Sequence, residues 1–308
     1  MAARVINGDE EEMNQRAQIR FLADGRRLHL HDGPIDLIIE AFGAPREVEN
    51  AYRAACARFV TVLDELCSEL AFLRQACAPE AAWPRGAVAR RMVAATMPYV
   101  TEYFITPMAA VAGAVAEEIL AAMVDAAELS RAYVNDGGDI AVHLSPSETF
   151  VVGMVERPDQ PSLFGTTTLR FNDPVRGIAT SGWRGRSFSL GIADAVTVLA
   201  DRASAADAAA TIIANAVDLP KHPAIIRVPA CELVPDSDLG GRLVTQRVGE
   251  LTIAEVDRAL ASGMQTAERL RRIGLIRTAA LHLQGKTRVV VAMPELRTDV
   301  GERSPVHA

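Results

Sequence analysis

The sequence predicts an α+β fold, with mainly antiparallel sheets packed against long helices. Three observations carry that expectation. From Glu47 to about Cys77, Val48, Tyr52, Ala55, Phe59, Val62, Leu66, Leu70 and Leu73 recur every three or four positions, the period of a long amphipathic helix. Several short strand-like runs follow one another directly, which favours antiparallel pairing over βαβ crossovers. Hydrophobic residues make up 49% of the 308 and aromatic residues only 5%. A core is therefore affordable, but it must be built from close-packed small aliphatic side chains.

Along the chain, residues 1–15 read as a flexible lead, 16–300 as a single α+β domain and 301–308 as a flexible tail. Ile19–Ala23, Leu28–His31 and Ile35–Ala41 read as strands, closed by a turn at Gly43–Pro45. After the long helix, Pro79 and Pro84 punctuate the chain, and a shorter helix is expected over Gly86–Thr96. Thr106-Pro107 offers a capping hydroxyl followed by a first-turn proline, opening a helix that reaches about Leu129. A strand-rich stretch follows: Ala132–Asn135, Ile140–Leu144, Phe150–Glu156, Thr166–Phe171, Gly177–Thr180 and Ala193–Ala200. The pattern then gives a helix from Ser204 to about Ala216, a strand at Ala224–Val228 and a helix near Ile253–Ile273. Two strands, Ile276–Leu283 and Arg288–Met293, close it. No internal repeat and no Pro/Gly/Ser-rich linker divides the chain.

The formal charge is −7 and the pI about 5.5, which argues against nucleic acid and against an anionic membrane as partner. The acidic, polar N-terminus carries no secretory or lipoprotein signal, so a cytoplasmic location is expected. The longest apolar run, Phe104 to Val124, holds Glu117 and Glu118 at its middle. Each would cost roughly 2.5–3.5 kcal/mol at a bilayer centre, so the run reads as a buried helix. Cys56, Cys67, Cys77 and Cys231 show no C-x-x-C spacing, which argues against a zinc site, and the three in the helical stretch, Cys56, Cys67 and Cys77, are expected to be buried free thiols.

Four segments could carry chemistry. Asn135-Asp136-Gly137-Gly138-Asp139 is a tight-hairpin sequence, because paired glycines adopt positive φ at least cost. The same glycines would let a ligand approach the backbone, with Asp136 or Asp139 bonding a ribose or a ring edge. In Gly177 to Ser187, Thr180, Ser181 and Gly182 lead into a loop carrying Arg184 and Arg186. Such a loop can present N–H groups and guanidinium forks to phosphate. Asp207 and Thr211 stand one helical turn apart and could supply two oxygen ligands to Mg²⁺, although Ser204-x-x-Asp207 also fits a capping box. Small residues around Gly113 allow close helix packing or ligand approach. None of the six histidines is singled out.

GAVAEEIL (113–120), NDGGDI (135–140), GIATSG (177–182) and ADAVTVLADRASAADAAATIIANAV (193–217), in this order, resemble the ApbE superfamily of FAD:protein FMN transferases. The likeness covers about a third of the chain, residues 107–217. HDGPIDLIIEAFG (31–43) is closer to the small uncharacterised branch of that superfamily. The resemblance implies an ApbE-like α+β fold, FAD as cofactor and Mg²⁺ as metal. Asp207, Thr211 and the Ala114 carbonyl match the metal ligands. Asn135, Gly137, Gly138, Asp139, Thr180, Ser181 and Gly182 match the flavin pocket. Its implied partners are a small-molecule nucleotide and an acceptor flavoprotein; self-association into a homo-oligomer stays open. The transferases also carry His-x-x-Asp-Pro-x-x-Gly before the Val-Thr-Val strand. Here that interval reads WRGRSFSLGIADAVTV, with Phe188 near the place of the histidine and Asp194 as its one carboxylate. FMN transfer or FAD diphosphate cleavage is one expectation; a non-catalytic small-ligand binding or sensing module on the same scaffold is the other.

Overall fold

The computed structural model describes residues 16–80, 82–155 and 163–290. The predicted lead, the tail and the end of the last predicted strand lie outside the described residues. The organising element is a nine-stranded sheet, ordered β1-β2-β3-β4-β5-β8-β9-β12-β13. Its strands are Gln18–Phe21, Leu28–Asp32, Ile35–Gly43, Leu129–Asp136, Asp139–Leu144, Gly177–Ser181, Ala195–Ala200, Thr278–Leu283 and Lys286–Val290. Every neighbouring pair is antiparallel. Beside it stand two ribbons, β6 (Thr149–Val155) with β7 (Leu163–Arg170), and β10 (Ile225–Pro229) with β11 (Leu243–Val248).

Strand β9, Ala-Val-Thr-Val-Leu-Ala, is buried at all six positions, as expected of a strand covered on both faces. Strand β2 alternates Leu28 and Leu30 inward with His29 and His31 outward, the period-2 pattern of a half-covered strand. Helix α1 (Pro45–Ser68) starts at a first-turn proline and buries Ala51, Tyr52, Ala55, Phe59, Val62 and Leu66. The predicted single helix is interrupted at Glu69, whose φ of −113° leaves the helical region; a short α2 (Leu70–Leu73) follows. Glu69 is committed elsewhere: its carboxylate accepts from the Arg85 and Gly86 N–H groups, ahead of α3 (Ala87–Thr96).

Helix α4 (Val111–Ala126) and helix α5 (Ala203–Ala216) form the inner layer. Helix α4 lies on β4 and β5, and α5 on β8 and β9. Ala206, Ala208, Ala209, Ala210 and Ala214 of α5 are fully buried; their small side chains let the helix sit close on the sheet. Two glycines permit close main-chain approaches. A Cβ on Gly113 would fall 2.4 Å from the Ala203 carbonyl oxygen, and one on Gly177 would fall 2.1 Å from the Ala203 nitrogen. After a short α6 (Ala230–Leu233), helix α7 (Ile253–Arg272) covers the far end, started by a Thr252–Glu255 capping box and ended by Arg269, Arg271 and Arg272.

Several local expectations change. Thr106 does not cap the following turn: its Oγ1 donates to Asp238 Oδ2 at 2.5 Å, and residues Pro107–Ala110 form a 3₁₀ turn before α4. Strand β11 follows no strict alternation and sits among charged loops, so no sequence signal marked it. None of the four thiols is fully buried; Cys67 and Cys231 are exposed, while burial pushes the Cys56 thiol up to about 11. Pro107–Ala126 is long and apolar enough to cross a membrane, and about half of it is buried inside the protein.

The Gly113–Ala203 contact is directly testable. Gly113→Ala must push main chain against main chain, an overpacking cost of roughly 1–3 kcal/mol, and should lower Tm measurably. Gly241→Ala, with nothing within 4 Å of the new Cβ, should leave Tm within about a degree. Equal Tm values for the two variants would contradict the close approach.

Candidate functional site

The predicted segments meet where four features converge: the tip of the β4–β5 hairpin, the end of β8, and the first turns of α4 and α5. The two helices cap one another. Glu117 Oε1, from α4, accepts both the main-chain N–H and the hydroxyl of Ser204 at 2.7 Å. Asp207 Oδ2, from α5, accepts from the Gly113 N–H at 3.1 Å, with the Ala112 N–H alongside. Neither helix has a side-chain cap from its own N-cap residue, so each carboxylate satisfies donors the other helix leaves open. This overturns the Ser204–Asp207 capping box. Ser204 is the second residue of α5, not the residue before it, and Asp207 serves a different helix.

Glu117 is held in place from the other side. Arg91 Nη1 reaches its Oε2 at 3.4 Å, Arg91 Nε binds Glu118 at 3.0 Å, and Arg58 bridges Glu118 and Glu65. The two charges that break the apolar run are thus the joint between α1, α3, α4 and α5. That pairing was invisible in sequence, although an acidic pair inside an apolar helix was its signal.

On α5, Ser204, Ala206, Ala208–Ala210 and Ile212–Ala214 are buried, whereas Asp207 and Thr211 keep partial exposure. The i, i+4 pair therefore shares one face of the helix and is less covered than Ala206 and Ala208–Ala210 beside it, and the place where that face meets the hairpin tip and β8 is the candidate cleft. Ala114 is fully buried in the first turn of α4; the group of that turn which meets Asp207 is the Gly113 N–H.

The hairpin tip is a two-residue turn. Gly137 (φ +61°) and Gly138 (φ +114°) make the bend, Asp136 pairs with Asp139 across it, and Asn135 Oδ1 accepts from the Gly138 N–H at 2.8 Å. Asn135 thus closes the turn, and Asp139 points across to β8, where its Oδ1 accepts from the Thr180 N–H at 3.2 Å. The Thr180 hydroxyl pairs with Thr197 at 3.0 Å, and Ser181 pairs in register with Val196. Gly182 packs against the Ala193–Asp194 main chain, 2.5 Å from a virtual Cβ to the Asp194 oxygen.

The two arginines part company. Arg184 Nε donates to Asp194 Oδ1 at 2.7 Å, and its guanidinium lies 4.4 Å from the Trp183 ring centre. Asp194 also accepts from Trp183 Nε1 at 3.1 Å and from the Gln284 N–H at 2.7 Å. Asp194 is therefore the anchor of the loop. Arg186, with a side chain 61% exposed, lies against Gly137 with Nη2 3.5 Å from Asp136 Oδ1.

Three carboxylates, Asp136, Asp139 and Asp207, thus share one neighbourhood. Burial, first of all, raises the Asp136 and Asp207 carboxyls to about 7. Asp139 is also raised, by burial and then by the charges of Asp207 and Asp136. Arg186 draws Asp136 and Asp139 back only in part, and the α4 N–H groups do the same for Asp207. The cleft carries more negative charge than its own cations balance. Among the described residues no group of three or more His, Cys, Asp or Glu is gathered closely enough to hold a metal unaided. A cation here would rely on Asp207 and Thr211 with main-chain, water or ligand oxygens, a donor set suited to a hard ion.

Comparison with known proteins gives the lineage. A family model described as AbpE bacteria matches residues 19–289. The UPF0280 protein of Methanopyrus kandleri is 46% identical over 111 residues, 36% of this chain and 43% of that protein. That of Methanosarcina acetivorans is 36% identical over 178 residues, 55% of this chain and 66% of its own length. The chain thus spans about half the length of the curated relatives it matches. A flavin transferase ApbE from Vibrio cholerae aligns over 89% of this chain and 96% of its own, with 13% identity and a TM-score of 0.35. With 271 positions, 19–289, inside the family match, the chain belongs to the AbpE bacteria family.

Proposed function

We propose that the cleft binds a flavin nucleotide, FAD, together with Mg²⁺. One observation carries the reading: three clustered carboxylates and an open Asp207–Thr211 pair, left short of positive charge. Family membership points to flavin-related chemistry. Mg²⁺, when bound, would offset the charge of Asp207 and of a diphosphate and polarise its phosphorus–oxygen bonds. The residues themselves orient and enclose. The Gly113 N–H fixes Asp207 Oδ2, and the Ala112 N–H also donates to that carboxylate, which holds it at the start of α4. Gly138, with nothing within 4 Å of a Cβ, lets a ligand reach the main chain of the turn, and Arg186, 61% exposed and paired with Asp136 at 3.5 Å, can swing to phosphate.

A second reading, FMN transfer or diphosphate cleavage, shares these contacts but needs more. The attacking hydroxyl oxygen must bond to the FMN phosphorus, the bridging P–O bond must break to release AMP, and a base must take the hydroxyl proton. Asp194, the carboxylate of the loop, is held by Trp183, Arg184 and Gln284 and is not free for that work. This favours binding or carriage over transfer.

Two measurements test the site. In the fold the Asp136 and Asp207 carboxyls sit near 7, against about 3.9 in an unfolded chain. The folded protein therefore holds more protons between those values, and stability falls as pH rises from roughly 4 to 7. The Tm of metal-free protein should rise as pH is lowered from 8 to 5.5, and Asp207→Asn should flatten that slope. Mg²⁺ should raise Tm more at pH 8 than at pH 6, because cation and proton compete. A metal-free Tm that climbs with pH over that range contradicts the assignment.

The second measurement is titration calorimetry of FAD in Mg²⁺, with AMP release followed in parallel. Wild type should bind, and Asp207→Ala should weaken binding about tenfold or more. AMP should stay at the uncatalysed level. Steady AMP production would establish the transfer reading instead, and no FAD binding by wild type would remove both.

A further inference from the structure

Asp136 is the feature of the cleft that neither the turn nor the metal reading uses. Its residue is 4% exposed, and its Oδ1 is a buried side-chain atom without a hydrogen-bond partner among the described residues. Arg186 Nη2 stands 3.5 Å from it, an ion-pair distance at the limit of hydrogen bonding, and the Asp36 N–H serves the same carboxylate. The hairpin does not need this side chain: Asn135 closes the turn and the two glycines bend it. A buried carboxylate oxygen without a well-formed hydrogen bond costs stability in the empty protein, and a donor brought by a ligand would relieve that cost.

We propose that Asp136 is a selectivity residue that accepts a hydrogen bond from a sugar or polyol hydroxyl of the ligand. A hydroxyl suits this place better than a second cation. Arg186 already supplies positive charge at Oδ1, and a divalent ion there would face the guanidinium at close range. A neutral donor fills the oxygen without that repulsion and leaves Arg186 free to turn to phosphate, so the pair would read a hydroxyl and a phosphate together. Both the ribityl chain of a flavin nucleotide and the ribose of an adenosine nucleotide offer that combination. The inference rests on the nucleotide-binding reading and sharpens it by naming which part of the ligand Asp136 meets.

The test uses calorimetry and thermal shift with FMN, AMP and lumichrome (the flavin ring without its polyol), each with Mg²⁺, on wild type, Asp136→Leu and Asp136→Asn. Asp136→Leu should raise the Tm of unliganded protein at pH 8 and weaken FMN or AMP about tenfold, leaving lumichrome unchanged. Loss confined to FMN assigns the ribityl chain, and loss confined to AMP the ribose. Asp136→Asn, which keeps an acceptor oxygen, should restore most of the affinity. Equal weakening of lumichrome, a lower unliganded Tm, or a loss seen only in the response to Mn²⁺ alone would each overturn the proposal. Wild-type binding that Asp136→Leu leaves intact overturns this inference by itself. A wild type that binds neither FMN nor AMP overturns the nucleotide reading and this inference with it.

Discussion

The reciprocal capping of α4 and α5 is the constraint on which the rest of the cleft depends. An α-helix leaves its first N–H groups without partners, and a local Ser, Thr, Asp or Asn ordinarily supplies one. Here the N-cap residues are Ala110 and Arg202, which offer no cap. Glu117 and Asp207 reach across instead. The exchange works only because Gly113 lets the α4 main chain touch that of Ala203. Close packing, capping and placement of the Asp207 carboxylate are therefore one structural event.

The consequence is electrostatic. By serving as a cap, Asp207 is carried into a neighbourhood with Asp139 and Asp136, where desolvation and mutual repulsion both oppose ionisation. Proteins tolerate such crowding where a ligand relieves it, and strained electrostatics cluster at functional sites for that reason. The surrounding scaffold is rigid enough to hold it: buried β9 beneath, an alanine-rich helix above, and the Arg58–Glu118–Arg91–Glu117 chain fastening the helices from behind. With a net charge of −7 the general field of the protein repels anions, so an anionic ligand would depend on local positive charge such as Arg186.

Much of the fold was legible because it follows from local periodicity. The α1 stripe, the alternation in β2, the Gly137–Gly138 hairpin and the covered β9 run can each be read from a few consecutive residues. What escaped was long-range. The spacing of Ser204 and Asp207 fits a local cap, but a donor on another helix wins once Gly113 brings it within reach. Arg184 and Arg186 look alike in sequence, and only the fold gives the first to Asp194 and leaves the second at the hairpin. Strand β11 depends on β10 for its pairing and carries too little pattern of its own. At the candidate site, residue types and order pointed to segments that the fold brings together, whereas the burial of the Asp136 oxygen required the packed structure.

The most direct measurement is the position of a bound cation. Crystals grown with Mn²⁺ and FAD, with anomalous difference maps at the manganese edge, would locate the ion independently of any activity. The account predicts a peak at about 2.0–2.4 Å from an Asp207 oxygen and from Thr211 Oγ1, with further oxygen ligands. A strong peak at another carboxylate, or a cleft in which FAD binds while Asp207 keeps only its α4 partners, would contradict it.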